Sequence, residues 1–537
     1  MNASVAAREI ERDSRPPAPR GWKLEPWELA ALAGILVATA IVYMPSIRYG
    51  FVWDDSAQIV GRSPLQSWAG IGKSFIYDSW WFRDPDHLPQ SAYYRPLQAA
   101  WFGLNSMMLG LHPAAWHLEK IAIELIGVIV CFRLAQLLTR DTRIALLAAA
   151  IFALIPANVE SVVWNSAIGE PLSTIFEMGA MCCFIQRKPG RGLSRGLIFA
   201  SILYAGALLS HETAVLFWLV IAAYIFLIEG KRPGESIRLA APFMLLGVAY
   251  LGARLYALGT VFFGQHYFVP GTVASGWEAP HPPHGLLDII LTAPVALLTY
   301  VEVLVLPGMA GPAHDVNWTT GASVASLVSA GLLVALAAIA LALIRRSRDR
   351  NLYFFCAAWS LIAIAPSMNL KALVALVQDR LLYAPSFGWS LALAVAAMRL
   401  ASAPRARAPV AGAMALLLAA YAVTIVRVER DWHDDRIFWT SCVAIAPHKA
   451  DYLRELVDVL NKKGDLTAAM EVLRQAVNRD PDNEYLHTKL AKQYATMQRG
   501  AEFAAEIVKV RALRARAGAA RAAAANARGA NPVPSPR

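Results

Sequence analysis

The chain has 537 residues, 57% of them hydrophobic and only 17% charged, with a mean hydropathy of +0.42. This excludes a soluble globular protein of the same length, which needs far more polar surface. The formal charge of +11 would suit nucleic acid, but the basic residues sit in short loops between apolar blocks, where membrane topology accounts for them.

Residues 1–27 are polar and basic and hold Pro16, Pro17 and Pro19, which predicts a disordered cytoplasmic leader. The apolar content then comes in blocks of about 17–25 residues, the length that crosses a bilayer core as helix. The blocks are continuous, unlike the alternating strands of a membrane barrel. The first runs from Leu29 to Pro45. It reads as a retained anchor, although Ala38-Thr39-Ala40 resembles a signal-peptide cleavage site. A polar loop rich in Trp, Tyr, Asp and Arg follows, from Ser46 to Pro113. Further blocks lie near 118–138, 143–157, 170–186, 196–210, 213–229, 238–259, 287–306, 321–344, 352–367, 382–401 and 409–427.

Basic clusters orient these blocks. They fall at Arg140/Arg143, Arg187/Lys188/Arg191/Arg195, Lys231/Arg232/Arg238, Arg345/Arg346/Arg348/Arg350 and Arg399/Arg405/Arg407. If every block crosses, the last two clusters land on the wrong side. If 287–306, with Pro294 and Glu302, dips in and returns or lies in the interface, all are cytoplasmic. The expected fold is therefore all-α, a bundle over residues 28–430 with about eleven crossings plus one irregular segment. The N-terminus is cytoplasmic, and the first loop (46–113) and the C-terminal domain face outward. The Ala- and Arg-rich composition points to a bacterial inner membrane, with the periplasm outside.

Residues 431–515 read as a soluble helical-repeat domain. Pro447 and Pro481 are 34 residues apart, the tetratricopeptide period. Leu460, Gly464, Ala469, Leu473 and Ala476 match the packing positions of one repeat, and Leu490, Ala491 and Tyr494 mark a weaker second one. Such repeats hold a peptide or simply cap the outer face. The tail, 516–537, is low-complexity and expected to be disordered. The five cysteines show neither metal nor disulfide spacing and read as small buried apolar residues.

Several polar groups interrupt this pattern on the outer side. Asp54 and Asp55 follow the first membrane block within FVWDD. In extended backbone they point opposite ways, so one can face a site while the other anchors the loop or helps bind a cation. The plainer alternatives are solvated loop acids or a helix cap. Arg95, after Tyr93 and Tyr94, can grip a phosphate or anchor the interface. Glu119 and Glu124, beside His117 and Lys120, can simply neutralise one another. Glu160, Trp164 and Glu170 share one short outer loop, and His211-Glu212 interrupts another apolar run. A histidine beside an acid can hold a phosphate, carry a proton or ligate a metal; a lone pair is weak grounds for metal, so no metal site is read. A divalent cation is left open, with no other cofactor expected. His281 and His284 read as exposed, and Arg380, in QDRLLY ahead of Tyr383, offers another phosphate contact. These groups share one membrane face and suit a substrate with a sugar ring, a phosphate and a lipid tail.

The ordered set resembles the membrane glycosyltransferases of the GT-C class. Within it, the chain is similar to the transmembrane-and-tetratricopeptide-repeat O-mannosyltransferase family and its bacterial relatives. FVWDD, YYRPLQAAWFGLNSMMLGLHPAAWHLEKIAIEL, IPANVESVVWNSAIGEPLS, LSHETAVL, DRLLYAPSFGWS and ERDWHDDRIFW carry the resemblance, over about residues 28–510. It implies transfer of a sugar, mannose among the candidates, from a polyprenyl-phosphate donor to a hydroxyl of a protein or envelope glycan. Asp54 or Asp55 would be the general base. Arg95, Arg380 and His211 would meet the donor phosphate. Glu160, Glu170, Glu212, Tyr94, Trp164 and Tyr383 would line the sugar or acceptor pocket, the membrane would hold the polyprenyl chain, and the repeats would hold the acceptor. The chain departs from the family pattern at Ile155-Pro156 for His-Pro, at Ala167-Ile168-Gly169-Glu170 for Gly-Arg-x-Asp, and at His211-Glu212 for Lys-Glu. These departures motivate the alternative reading, a non-catalytic scaffold binding partners through residues 447–515. A transporter fits less well, since no inverted repeat is visible.

Overall fold

The computed structural model describes residues 24–61, 63–83, 89–187, 194–261, 286–319, 321, 323–368 and 376–529. Most of the leader, and His281 and His284, lie outside these residues. Every regular element among them is helical, and each apolar block of the sequence has become a helix. Among the described residues, nine helices are long and apolar enough to cross a membrane, ten if one bent pair counts as a single span, and Arg195–Ser210 and Glu212–Leu227 are shorter apolar helices. The chain is a multi-pass membrane protein.

Local chemistry sets the helix ends. The first helix, Pro26–Tyr43, opens with proline at its first position, where no amide hydrogen is needed. Its Glu28 carboxylate accepts from the Glu25 N–H at 3.0 Å. Pro113–Thr139 also starts on proline and stops at Arg140, whose φ is +57°. Asp141 caps the next helix, Thr142–Leu154, accepting from the amides of Arg143 (2.9 Å) and Ile144 (3.3 Å). That helix breaks at Ile155, because Pro156 disfavours helical backbone before it, and the chain bends by 52°. The bundle packs through small residues: Ala145, Ala148 and Ala149 are fully buried. Any side chain at Gly388 would meet the Cys356 carbonyl at 2.5 Å, so that helix contact requires glycine.

Because the helices run up and down, their connections gather at two ends. One end holds Arg140, Arg143, Arg187, Arg195, Lys231, Arg232, Arg345, Arg346, Arg399 and Arg405. The other gathers the first loop with segments 155–170, 210–216, 307–319, 376–383 and 430–439. The segment expected to be irregular is instead one continuous helix, Leu286–Val305, despite Pro294. Its placement is unusual. Near its start, Leu291 and Thr292 bond Ser326 (2.6 Å) and Thr319 (3.0 Å), in and just before the first turn of Val324–Arg346. Just past its end, the Gly308 carbonyl accepts from Arg427 at 3.2 Å. Both ends are thus tied to segments at the same end of the bundle.

Five further helices continue from that end: Asp435–Ile445, Ala450–Lys462, Leu466–Arg479, Glu484–Thr496 and Gly500–Gly529. The second and fourth start 34 residues apart, as do the third and fifth. Gly464, at φ +78°, makes the turn between the second and third. The last helix runs through 516–529, which were expected to be unstructured; alanine and arginine are strong helix formers.

Candidate functional site

The site starts at the turn after the first membrane helix. Trp53 has φ +55°, rare for a bulky residue. Its N–H donates to Asp435 Oδ1 at 2.6 Å, and its ring stacks on Trp164 at 4.7 Å and on Phe438 at 5.7 Å. Trp164 Nε1 in turn donates to the Val52 carbonyl at 3.2 Å. This wedge fixes the backbone of the two following acids, and they take opposite roles.

Asp55 is buried and held by four donors: Ser166 N–H (2.8 Å), Ser166 Oγ (2.6 Å), Asn165 Nδ2 (3.2 Å) and Val52 N–H (3.3 Å). Burial still raises its pKa to about 6. Asp54 lines a cavity of about 550 Å³, and its carboxylate makes no hydrogen bond or ion pair among the described residues. Burial raises its pKa to about 7, against the pull of Arg380 and, more weakly, Arg83. Gln58, Tyr93, Arg95, Gln98, Ser166, Glu170 and Arg380 share that cavity.

The cations are already held by acids. Glu212 clasps Arg95 with two bonds, at 2.6 and 2.7 Å, leaving Nη1 with a 3.5 Å contact to Gln98. Arg380 lies between Glu160, which it bonds through Nη1 and its backbone N–H, and Glu170, 3.1 Å from Nε. Its Nη2 is unbonded among the described residues. His211 pairs with Glu170 at 3.4 Å rather than with its neighbour Glu212. Its Nδ1 accepts from the Thr213 N–H at 3.3 Å, so a neutral ring carries its proton on Nε2, facing Glu170.

The structure thus brings together Asp54, Arg95, Glu160, Glu170, His211, Glu212 and Arg380. Trp164 lines the same cavity, and the Arg380 guanidinium sits 4.9 Å over its ring. Asp55 supports the turn from behind. Two residues fall elsewhere. Tyr94 turns its hydroxyl to the Phe75 carbonyl at 2.8 Å, and its neighbour Tyr93 lines the cavity instead. In extended backbone only one of two adjacent tyrosines can face the site. Tyr383 bonds Glu124 at 2.5 Å inside the bundle, one helical step away from Arg380's side.

Gln98, Ser166, Asn165 and Arg83 were not foreseen. Gln98 could have been found, since it follows Arg95 by three at a helix start and shares its face. Among the described residues, no three histidine, cysteine or acidic side chains are grouped to hold a metal.

No family model matches the chain. It is 23% identical to the Drosophila melanogaster protein named Protein O-mannosyl-transferase Tmtc3, over 95% of this chain and 61% of that protein. The mouse protein named TMTC3 is 21% identical over 89% of this chain and 54% of its own length. Mouse TMTC4 is 23% identical over 79% and 63%. The chain is related to the TMTC proteins. Their alignment spans most of this chain, as the ordered motifs do. The chain itself spans about 54–63% of these curated relatives.

Proposed function

We propose that this protein is a membrane glycosyltransferase that moves a sugar from a polyprenyl-phosphate donor to a hydroxyl of a protein or envelope glycan. The observation that carries the reading is the unbonded Asp54 carboxylate, facing a polar cavity beside two preset arginines. The relatives' names, protein O-mannosyl-transferases, support it and make mannose the first sugar to try.

In this reading the acceptor oxygen attacks the anomeric carbon while Asp54 takes its proton. A base of pKa about 7 is matched to neutral pH. The bond from that carbon to the phosphate oxygen breaks, and the polyprenyl phosphate leaves with the electron pair. Arg380 Nη2 and Arg95 Nη1 meet the growing charge. Because Glu160, Glu170 and Glu212 fix these guanidinium groups beforehand, little reorganisation is needed at the transition state. Glu170 and Tyr93 are placed to contact the sugar hydroxyls.

The basic end of the bundle faces the cytoplasm by the positive-inside rule, which puts the site outside, in the periplasm of a bacterial inner membrane. Leu286–Val305, tied at both ends to the site end, then does not cross, and every basic cluster shares one side. The helices from Ala450 onward form tetratricopeptide-like hairpins above the site.

The test is mass spectrometry of periplasmic proteins and envelope glycans from cells with the intact protein, the deletion and Asp54→Asn. A hexose-sized mass lost in both altered strains supports transfer. A product set unchanged by Asp54→Asn, with a phenotype in the deletion, replaces it with a scaffold.

A further inference from the structure

A second cavity, of about 580 Å³, lies beside the first. Its walls come from three places. The strap 311–314 and segment 377–380 belong to the site end of the bundle, and Phe438, Trp439, Cys442, Asp451, Tyr452, Arg454 and Glu455 belong to the first two helices beyond it. Trp53 and Glu160 complete it. Arg380 lines both cavities, and the Trp53–Trp164 stack is the partition between them.

The two cavities differ in chemistry. The first is lined by charges and amides, as a sugar phosphate needs. The second is walled by Trp53, Phe438, Trp439, Tyr452, Val377, Pro312 and Ala313, and its charged residues, among them Asp379, Arg380 and Glu160, are already paired with one another or with the strap. We infer that this second cavity is the acceptor cleft, and that it takes an extended polypeptide by seating a bulky apolar side chain close in sequence to the hydroxyl residue that reaches Asp54. The inference rests on the reading of the first cavity as the transfer centre.

Three observations favour a polypeptide. Part of the cleft's wall is built by two amphipathic helices beyond the membrane-spanning set, Asp435–Ile445 and Ala450–Lys462, so its occupant comes from water and not from the hydrocarbon, where a polyprenyl chain lies. Its rings pack on one another: Phe438 and Trp439 stand 4.8 Å apart and are both buried, so no broad ring face is open for a glycan to stack on. At the rim Arg454 is already engaged by Glu455 at 2.7 Å and Asp451 at 3.7 Å, and the lining as a whole sets four acids (Glu160, Asp379, Asp451, Glu455) against two arginines (Arg380, Arg454). The surplus negative charge favours a basic residue over an acidic one where the peptide leaves. An extended chain advances about 3.3–3.6 Å per residue. Arg380 borders both cavities, so the apolar residue falls within about three positions of the hydroxyl.

The strap sets the cleft's width. Gly311 N–H (2.9 Å) and His314 Nε2 (2.6 Å) hold Asp379, and Lys449 bonds the His314 carbonyl at 3.0 Å. The cleft wall is thereby tied to Asp379, the neighbour of Arg380.

The test is a binding selection on the full-length protein in detergent. The probe is a synthetic pool of peptides with a fixed central serine or threonine and randomised flanks, and the retained peptides are read by mass spectrometry. An apolar side chain moved fully from water into the cleft should enrich Leu, Phe or Tyr at one flanking position by about tenfold over Gly. Ala313→Trp and Val377→Trp fill the cleft from different walls, and each should abolish that enrichment while the thermal melt shows a folded protein. Glu455→Lys acts at the rim without filling the core and should turn a preference for basic residues into one for acidic ones. The selection reads retention and needs no turnover. The selection therefore succeeds or fails independently of whether sugar transfer occurs. An absence of positional enrichment, or a selection untouched by all three cleft variants, overturns the inference. Retention of an oligosaccharide pool in preference to peptides overturns it in favour of a glycan acceptor.

Discussion

The two ends of the bundle treat charge in opposite ways. At the basic end the arginines are largely exposed, and the ion pair between Arg399 and Asp349 leaves the arginine side chain 60% accessible. At the site end the charges are buried and interlocked: Arg380 and Glu160 are 16% and 7% accessible, and Arg95 is clasped by Glu212. Exposed charges act by their sign and number, and they orient the chain. Buried charges act by geometry, because each must be satisfied by a specific neighbour. Variants at the two ends should therefore differ in kind as well as in size.

The largest effect belongs to Asp54, whose carboxylate is bonded by no neighbour among the described residues and faces the cavity. Asp54→Asn should lower sugar transfer by about 100-fold or more while leaving the melt intact, measured as product per enzyme by mass spectrometry. The pH profile sharpens this. Transfer should fall about tenfold per pH unit below about 7, as Asp54 becomes protonated. Stability runs the other way. The folded pKa is raised above the unfolded value, so the native state binds the extra proton. Asp54's contribution is fully present below about pH 4 and is lost as pH rises through about 7. Asp54→Asn should flatten both profiles.

Asp55, one residue on, should respond in stability. Asn at this position keeps the shape but turns an amide hydrogen toward donors from Ser166 and Asn165. The cost should be about 2–4 kcal/mol, read as a lower melting temperature. If Asp54→Asn instead unfolds the protein and Asp55→Asn only slows it, the two roles are exchanged.

How much of this the sequence showed follows the same division. Helix positions were legible because hydrophobic length is a local signal; the blocks read from Leu29 and from about 118 and 143 begin a few residues earlier, at Pro26 and Pro113 and after the Asp141 cap. That the site acids gather at one end of the bundle was legible because they all fall at helix ends of one parity. Pairing was not. His211 stands next to Glu212 in the chain but bonds Glu170, and Arg95 reaches Glu212 across 117 positions. Nothing local distinguishes Asp54 from Asp55 either; the choice is made by Ser166 and Asn165, more than a hundred residues away. Tyr94 and Tyr93 differ only by the pleat of the backbone.

The partition between the cavities tests the link between the ends of the chain. Trp53→Ala removes a ring stacked on Trp164 and Phe438 and frees the turn that presents Asp54. A loss of about 3 kcal/mol is expected, with a fall in transfer that Asp435→Asn reproduces only in part. Asp435 accepts the Trp53 N–H but supports none of the ring contacts.

The smallest effect should come from the opposite end. Asp349→Ala breaks both bonds to Arg399, at 2.7 and 2.8 Å, a geometry as good as that between Arg95 and Glu212. Yet water replaces the lost partner at an arginine this exposed, so the melt should move by less than about 1 kcal/mol and transfer should not change. Glu212→Gln removes the same kind of fork where water has little access, and it should cost several times more in stability and lower transfer as well. Equal losses from the two variants would mean that burial does not set the difference between the ends, and that the Arg95 fork is a surface pair with no part in holding the cation for the phosphate.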